Sequence, residues 1–290
     1  MEEINKKKLL GIKLSDVSLE KVLKFIYTSL QNNTKKYYVI TPNTEIFMLA
    51  KKNPAYKKII NEAKLALPDS VGITWAGKML GVPLRERVPG VELLENLCKE
   101  VAGKPITVGF FGGRQNVALR SAERLTQKYP GLKVAFAVEE WPLESGAEVA
   151  DENFLGHAPL ARLGPHVPSR LRLPSSENFA SSPRPKIINL PCRQAGHQSL
   201  SCDILFVALG SPKQEIWIAE NLAKIDVKVA IGVGGAFDFI SGEVRRAPVW
   251  IRKIGLEWLF RLMIQPWRWK RQLSLISFVI LVIKERLFDR

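Results

Sequence analysis

The sequence predicts an α/β fold, a mostly parallel sheet with helices on both faces, followed by a helical, membrane-associating appendage. Two observations carry that prediction. From Tyr37 onward, short β-rich runs alternate with stretches whose apolar residues recur at helical spacing, the signature of repeated βαβ units. Residues 245–290 break the alternation, and their eleven Lys and Arg against three Asp and Glu hold +8 of the chain's +15 formal charge.

The first buried strand reads over residues 37–40, running into Thr41-Pro42-Asn43 and a helix over 44–52. Residues 65–67 give the second strand, followed by Pro68-Asp69-Ser70 and helical spacing over 71–80. A helix over 91–101 is apolar enough to leave room for a homo-oligomer interface. The strand 106–111 ends at Gly112-Gly113 before a helix over 116–128, and 132–136 is the next strand. Strand 204–209, a helix over 212–223 and strand 227–233 complete the pattern. Strands apolar along their whole length suit a parallel sheet covered on both sides, so the expected core is Rossmann-like. Ligands of such sheets bind beyond the carboxyl ends of the strands. Five strand-end loops hold the unusual residues: Thr41 to Asn43, Pro68 to Ser70, Gly112-Gly113, Gly210 to Glu215, and Gly232 to Asp238.

At 290 residues with 46% hydrophobic content, disorder throughout is excluded, and one α/β core over 1–244 with an appendage over 245–290 is the economical division. Three cysteines make no disulfide framework, which points to a reducing compartment. The charged start, Met1 to Lys8, does not read as a signal peptide. The longest apolar run, 273–283, reaches about 16 Å as a helix against roughly 30 Å of hydrocarbon, so it cannot span a bilayer. The expected location is cytoplasmic, peripheral on the inner face of the plasma membrane.

Residues 138–202 interrupt the core. They contain one of 25 lysines, eight of 18 prolines and all three histidines, with neither helical nor strand periodicity. The segment reads as a long, poorly ordered loop, or in part as a stretch translated out of frame. A metal site from His157, His166, Cys192, His197 and Cys202 is rejected, because their spacing matches no compact ligand set.

Asp69 follows the apolar run Leu65-Ala66-Leu67-Pro68, so its carboxylate emerges at the mouth of the sheet, where a general base could reach an acceptor hydroxyl. It equally suits an N-cap for the helix from Val71, which is the commoner use of Asp there. Thr41 and Asn43 raise the same ambiguity between helix start and sugar contact. Gly112 and Gly113 permit close backbone approach to a nucleotide and lead to a helix N-terminus. Lys213, a cation at a helix's first turn, is electrostatically unfavourable unless it faces an anion, and so joins the nucleotide side. No three-glycine fingerprint or Walker lysine is present, which weakens nicotinamide and ATP readings.

Further multi-residue motifs are Glu86-Arg87-Val88-Pro89-Gly90, Gly232 to Phe239, Ser241-Gly242-Glu243 and Gly255 to Leu262. With those above, in this order from about Leu9 to Gln272 apart from 138–202, the chain resembles the WecG/TagA/CpsF glycosyltransferase family. The resemblance implies an inverting transfer of an N-acetylhexosamine-type sugar, best N-acetylmannosamine, from a UDP-sugar donor. The implied acceptor is undecaprenyl-diphosphate-linked N-acetylglucosamine, in teichoic acid or exopolysaccharide synthesis. It also implies Asp69 as catalytic base, Thr41, Asn43 and Arg87 in the sugar pocket, and Gln214 as a nucleotide-sugar contact. Ser70 departs from the pattern, standing where a glycine is usual.

Arg261, Arg268 and Arg271 would lie within about 80° of each other on one helix, although Pro266 breaks it. Arginine binds phosphate oxygens bidentately, and no Asp-x-Asp occurs to hold a metal, so a metal-independent enzyme without cofactor is expected. The resemblance assigns these arginines to the diphosphate. Trp250, Trp258, Trp267 and Trp269 beside the apolar run also fit an interfacial helix on an anionic membrane surface. The rival readings are a non-catalytic membrane-associated protein and a nucleic-acid-binding basic protein. The second is weakened by the absence of zinc-finger or RNP-like motifs.

Overall fold

The computed structural model describes residues 4–32, 34–114, 116–141, 200–266 and 269–288. It opens on two elements absent from the sequence reading. An antiparallel hairpin pairs β1 (Lys6–Leu9) with β2 (Ile12–Ser15), turned by Leu10 and Gly11, both at positive φ. Helix α1 (Leu19–Gln31) starts at the N-cap Ser18, whose side chain accepts from Lys21 N–H, and buries Val22, Ile26 and Leu30 at i, i+4, i+8.

The six-stranded sheet follows the sequence reading closely. Its strands are β3 (Tyr37–Ile40), β4 (Leu65–Ala66), β5 (Thr107–Gly112), β6 (Lys133–Val138), β7 (Ser201–Ala208) and β8 (Asp226–Gly232). All pairings are parallel, in the spatial order β4-β3-β8-β7-β5-β6. The helices between them are α2 (Thr44–Lys52), α3 (Pro54–Glu62), α4 (Val71–Met79), α5 (Gly90–Val101), α6 (Val117–Lys128) and α7 (Lys213–Asn221). Four more lie beyond β8: α8 (Ala236–Ile240), α9 (Val249–Lys253), α10 (Glu257–Ile264) and α11 (Trp269–Phe288). Helix α3, also absent from the reading, is capped by Asn53 with Pro54 in its first turn.

Strand alternation sorts the core into two layers. Val39, Leu65, Phe110, Phe206 and Ile231 face a cluster completed by α1, α5, α6 and α8. Their chain neighbours Ile40, Ala66, Phe111, Leu205 and Ala230 face the other side, with α2, α3, α4, α7 and α11. Val91, Leu93, Leu94, Leu97, Cys98 and Val101 of α5 are all buried in the first cluster. That use of its apolar face removes the argument for a subunit interface there.

The ends of the atypical segment are regular. Val138 closes β6, and Ser201 and Cys202 open β7, so the break in composition lies within the connection between an edge strand and an inner one. Residues 142–199, with His157, His166, Cys192 and His197, lie outside the described residues. The appendage is not a separate layer: Phe278 and Val282 of α11 are fully buried in the second cluster, with Phe278 edge-on to Phe47 at 5.6 Å. No helix among the described residues is long and apolar enough to cross a membrane.

Candidate active site

Four of the five strand-end loops converge. Beyond the carboxyl ends of β3, β4, β7 and β8 lies a cleft of about 480 Å³, a volume in the range of small-molecule sites. Thr41, Asn43, Asp69, Arg87 and Gln214 line it, together with Gly210, Ser211 and Val233 to Ala236. Gly112 and Gly113 are not among its walls. The reason is strand order: β5 is separated from β3 by both β7 and β8. Their glycine requirement has a packing cause instead. Both have positive φ, and a Cβ on Gly113 would lie 2.2 Å from Val117 Cγ2 at the start of α6. Lys213, the first residue of α7, is exposed and also lies off the cleft walls.

Asp69 does not cap α4. The N-cap is Ser70, and its hydroxyl makes no capping bond and has no hydrogen-bond partner. The Asp69 carboxylate instead accepts from Gly90 N–H at 3.0 Å, while its own N–H donates to the Pro42 carbonyl at 2.9 Å. Gly90 begins α5 and is closely confined, since a Cβ there would meet Thr41 Oγ1 at 3.1 Å and Val233 Cα at 3.2 Å. Burial raises the carboxyl from its ordinary 3.8 to about 6. The Gly90 N–H and the Arg87 charge oppose that rise, and the Glu257 and Glu92 charges add to it. A carboxyl poised near 6 is ionised at neutral pH yet more basic than an exposed aspartate, which suits proton abstraction.

Thr41 and Asn43 stand on the cleft wall with structural bonds of their own. Thr41 Oγ1 donates to the Gly232 carbonyl at 3.0 Å, tying the ends of β3 and β8 together. Asn43 caps α2, its Oδ1 accepting from Ile46 N–H at 3.0 Å. Gln214 is buried, its Oε1 accepting from Gly234 N–H at 2.8 Å and its Nε2 donating to Glu215 at 2.8 Å. Glu215 is fully buried and also accepts from Tyr56 at 2.9 Å and Ser211 at 3.0 Å. Burial raises its carboxyl and the Tyr56 hydroxyl alike. Its three side-chain donors make Glu215 the hub that fixes the Gln214 amide and, through it, the Gly234 loop.

The remaining wall comes from the appendage and α4: Val71, Gly72, Trp75, Gly255, Glu257, Trp258, Arg261, Ser274, Leu275 and Val279 line the same cleft. Arg246 joins Glu92 at 2.7 Å and Glu257 at 3.3 Å, fastening α10 to the first turn of α5. Arg261 pairs with Asp238 at 2.9 Å, stacks over the Phe239 ring, and lies against Gly235. The helix break expected at Pro266 is present. Helix α10 ends at Ile264 with Gln265 as its cap, so Arg261 and Arg271 stand on different helices. Arg268 and the Arg271 side chain lie outside the described residues. Among the described residues, no three His, Cys, Asp or Glu side chains are grouped to hold a metal.

Sequence reasoning missed Gly90 as the donor to Asp69, Glu257 as a nearby charge, and the Tyr56–Glu215 pair. Gly90 and Glu257 lie inside motifs already singled out, and nothing in the order of residues pairs Tyr56 with Glu215.

The model of the glycosyl transferase WecG/TagA/CpsF family matches residues 7–152 and 197–290. The chain belongs to that family. It is therefore a glycosyltransferase, and the stretch that the family does not match falls inside the compositionally foreign segment. Among curated proteins it is 30% identical to an N-acetylglucosaminyldiphosphoundecaprenol N-acetyl-beta-D-mannosaminyltransferase of Bacillus spizizenii, over 93% of this chain and 87% of that protein. Proteins of the same name from Bacillus subtilis and Staphylococcus aureus are 27% and 28% identical. These matches cover 89% and 95% of this chain, and 86% and 90% of the relatives. The cleft of this glycosyltransferase is built wholly from segments within the family match.

Proposed function

We propose that this glycosyltransferase moves N-acetylmannosamine from its UDP-sugar to undecaprenyl-diphosphate-linked N-acetylglucosamine, with inversion at the transferred carbon, during synthesis of a surface polymer such as teichoic acid. The names of the relatives support the acceptor and the sugar. The observation that carries the chemistry is Asp69, anchored by Gly90 N–H at the cleft floor with its carboxyl near 6.

In this reading the acceptor hydroxyl lies against the free oxygen of Asp69. As that hydroxyl attacks the anomeric carbon, its proton passes to Asp69, and the bond to the UDP oxygen breaks on the opposite face. Such base catalysis is worth roughly 10²–10⁴-fold. Arg261 supplies positive charge to a diphosphate by exchanging its Asp238 partner for phosphate oxygens, with Arg268 and Arg271 as further candidates. Arg87 and Asn43 face the sugar, and Gln214 holds the Gly234 loop against the nucleotide sugar. Catalysis proceeds without a metal.

The enzyme works at the inner face of the plasma membrane as a peripheral protein. Support comes from α11, whose Ile276, Ile280, Ile283 and Leu287 are exposed while Phe278 and Val282 are buried, so apolar residues surround much of the helix. A transfer assay with purified enzyme, UDP-N-acetylmannosamine and a lipid-diphosphate acceptor tests the whole reading. Full activity in Asp69→Asn would remove the base, and abolition by chelator would remove the metal-free mechanism.

A further inference from the structure

The cleft is two-sided in its chemistry. Around the strand ends its wall is polar, but along α4 it becomes apolar: Val71 and Trp75, one turn apart, line it together with Leu275 and Val279, one turn apart on α11, and Trp258 of α10. The two helices approach closely, since a Cβ on Gly72 would lie 3.7 Å from Leu275 Cδ1. On α11 the Leu275–Val279 stripe is about 60° round from the Phe278–Val282 stripe that enters the core. The apolar wall is thus held rigidly by buried residues and remains open to the cleft. It begins two residues after Asp69, and the helical rise from Val71 to Trp75 is about 6 Å.

We propose that this track between α4 and α11 binds the first isoprene units of the acceptor's lipid tail. The inference rests on the sugar-transfer reading above. A tail attached through a diphosphate to a sugar lying at Asp69 must leave the cleft along some wall, and the one built from Val71, Trp75, Leu275 and Val279 offers it apolar contact. The outward stripe of α11, carrying Ile276 and Ile280, is a different face and faces the surroundings.

The test uses full-length enzyme without membrane or detergent and soluble N-acetylglucosamine-diphosphate acceptors carrying a methyl, a one-isoprene or a two-isoprene chain below their micelle concentration. Wild-type kcat/KM is expected to rise at least tenfold from methyl to two isoprenes, which requires burial of only about two methylene groups. Val279→Asn and, independently, Leu275→Asn should bring the ratio of kcat/KM for the two-isoprene and methyl acceptors down towards one, a readout independent of any change in absolute rate. Ile280→Asn, on the outward face, should keep the rise. A wild-type rate indifferent to chain length overturns the track. So does a variant that weakens all three acceptors equally, or flattening by Ile280→Asn as well. Absence of transfer to every acceptor, methyl included, would instead overturn the sugar-transfer reading and the track with it.

Discussion

The carboxyl of Asp69 near 6 makes the acid side of the pH profile the sharpest test of its role. The unliganded enzyme governs kcat/KM, so that is the quantity to follow from pH 8 to pH 4.5. With an ionisation at about 6, the carboxylate is more than nine-tenths formed at pH 7.5 and only about one-tenth formed at pH 5. Activity should therefore fall about tenfold between those two values and a further tenfold per unit below. An aspartate at its ordinary 3.8 would remain more than nine-tenths ionised at pH 5, and the profile would be nearly flat there. The two cases differ by about an order of magnitude at a single pH. The neighbours give the direction of further change. Replacing the Arg87 cation by Gln removes a charge that favours the carboxylate and should move the limb to higher pH, whereas Glu257→Gln removes one that opposes it and should move the limb lower. A flat profile down to pH 5 in the wild type, or an acid limb that survives in the residual activity of Asp69→Asn, would refute Asp69 as the group that takes the proton.

The same carboxyl affects folding. Its folded value lies above the ordinary one, so its contribution to stability is fully present below 3.8 and is lost as pH rises through about 6. At pH 8 the wild type carries that penalty, at most about 3 kcal/mol and about 1–2 after allowing for solvent at the cleft. Asp69→Asn should then raise Tm by a few degrees at pH 8 and not at pH 4, and an equal shift at both would contradict it. Tyr56→Phe leaves the buried Glu215 one donor short and should cost roughly 1.5–3 kcal/mol in denaturant unfolding, with a higher KM for the donor sugar; unchanged stability would remove Glu215 as the hub. Gly232→Ala places a Cβ 2.5 Å from Gln214 Nε2, so it should likewise raise KM for the donor, and a neutral effect would show that the amide can move freely. Phe278→Ala should cost about 3–5 kcal/mol, measured by chemical denaturation, whereas an appendage loosely attached to the core would tolerate it.

The sheet was legible because its strands are buried on both faces and so appear as continuous apolar runs, as in Tyr37–Ile40, which matches β3 residue for residue. The N-terminal hairpin was not, because Lys6, Lys7, Lys8 and Lys13 interrupt the pattern while Leu9, Ile12 and Leu14 carry the burial. Helix α3 was masked by Pro54, which reads as a breaker but serves as a first-turn residue. At the site, residue types and loop positions singled out Asp69, Thr41 and Asn43, whereas Arg87 and the role of Gln214 came only with the family resemblance; all five line the cleft. Gly112 and Gly113 misled because chemistry at a strand end is local, whereas which strand ends are neighbours is decided by pairings far apart in the chain. The choice between cap and base at Asp69 had the same origin: it turns on Gly90, 21 residues away.

One consequence of α11 concerns the order in which the molecule is made. Phe47, Ile73 and Ile60 share a core cluster with Phe278 and Val282, and α11 leaves the ribosome after every other described element. A nascent chain can pair all six strands and bring Asp69 to Gly90 while that cluster still lacks its last two large side chains, and while the cleft lacks the wall of Leu275 and Val279. Completion of the core and completion of the cleft wall are thus the same late event, and the Asp69–Gly90 contact can form before either.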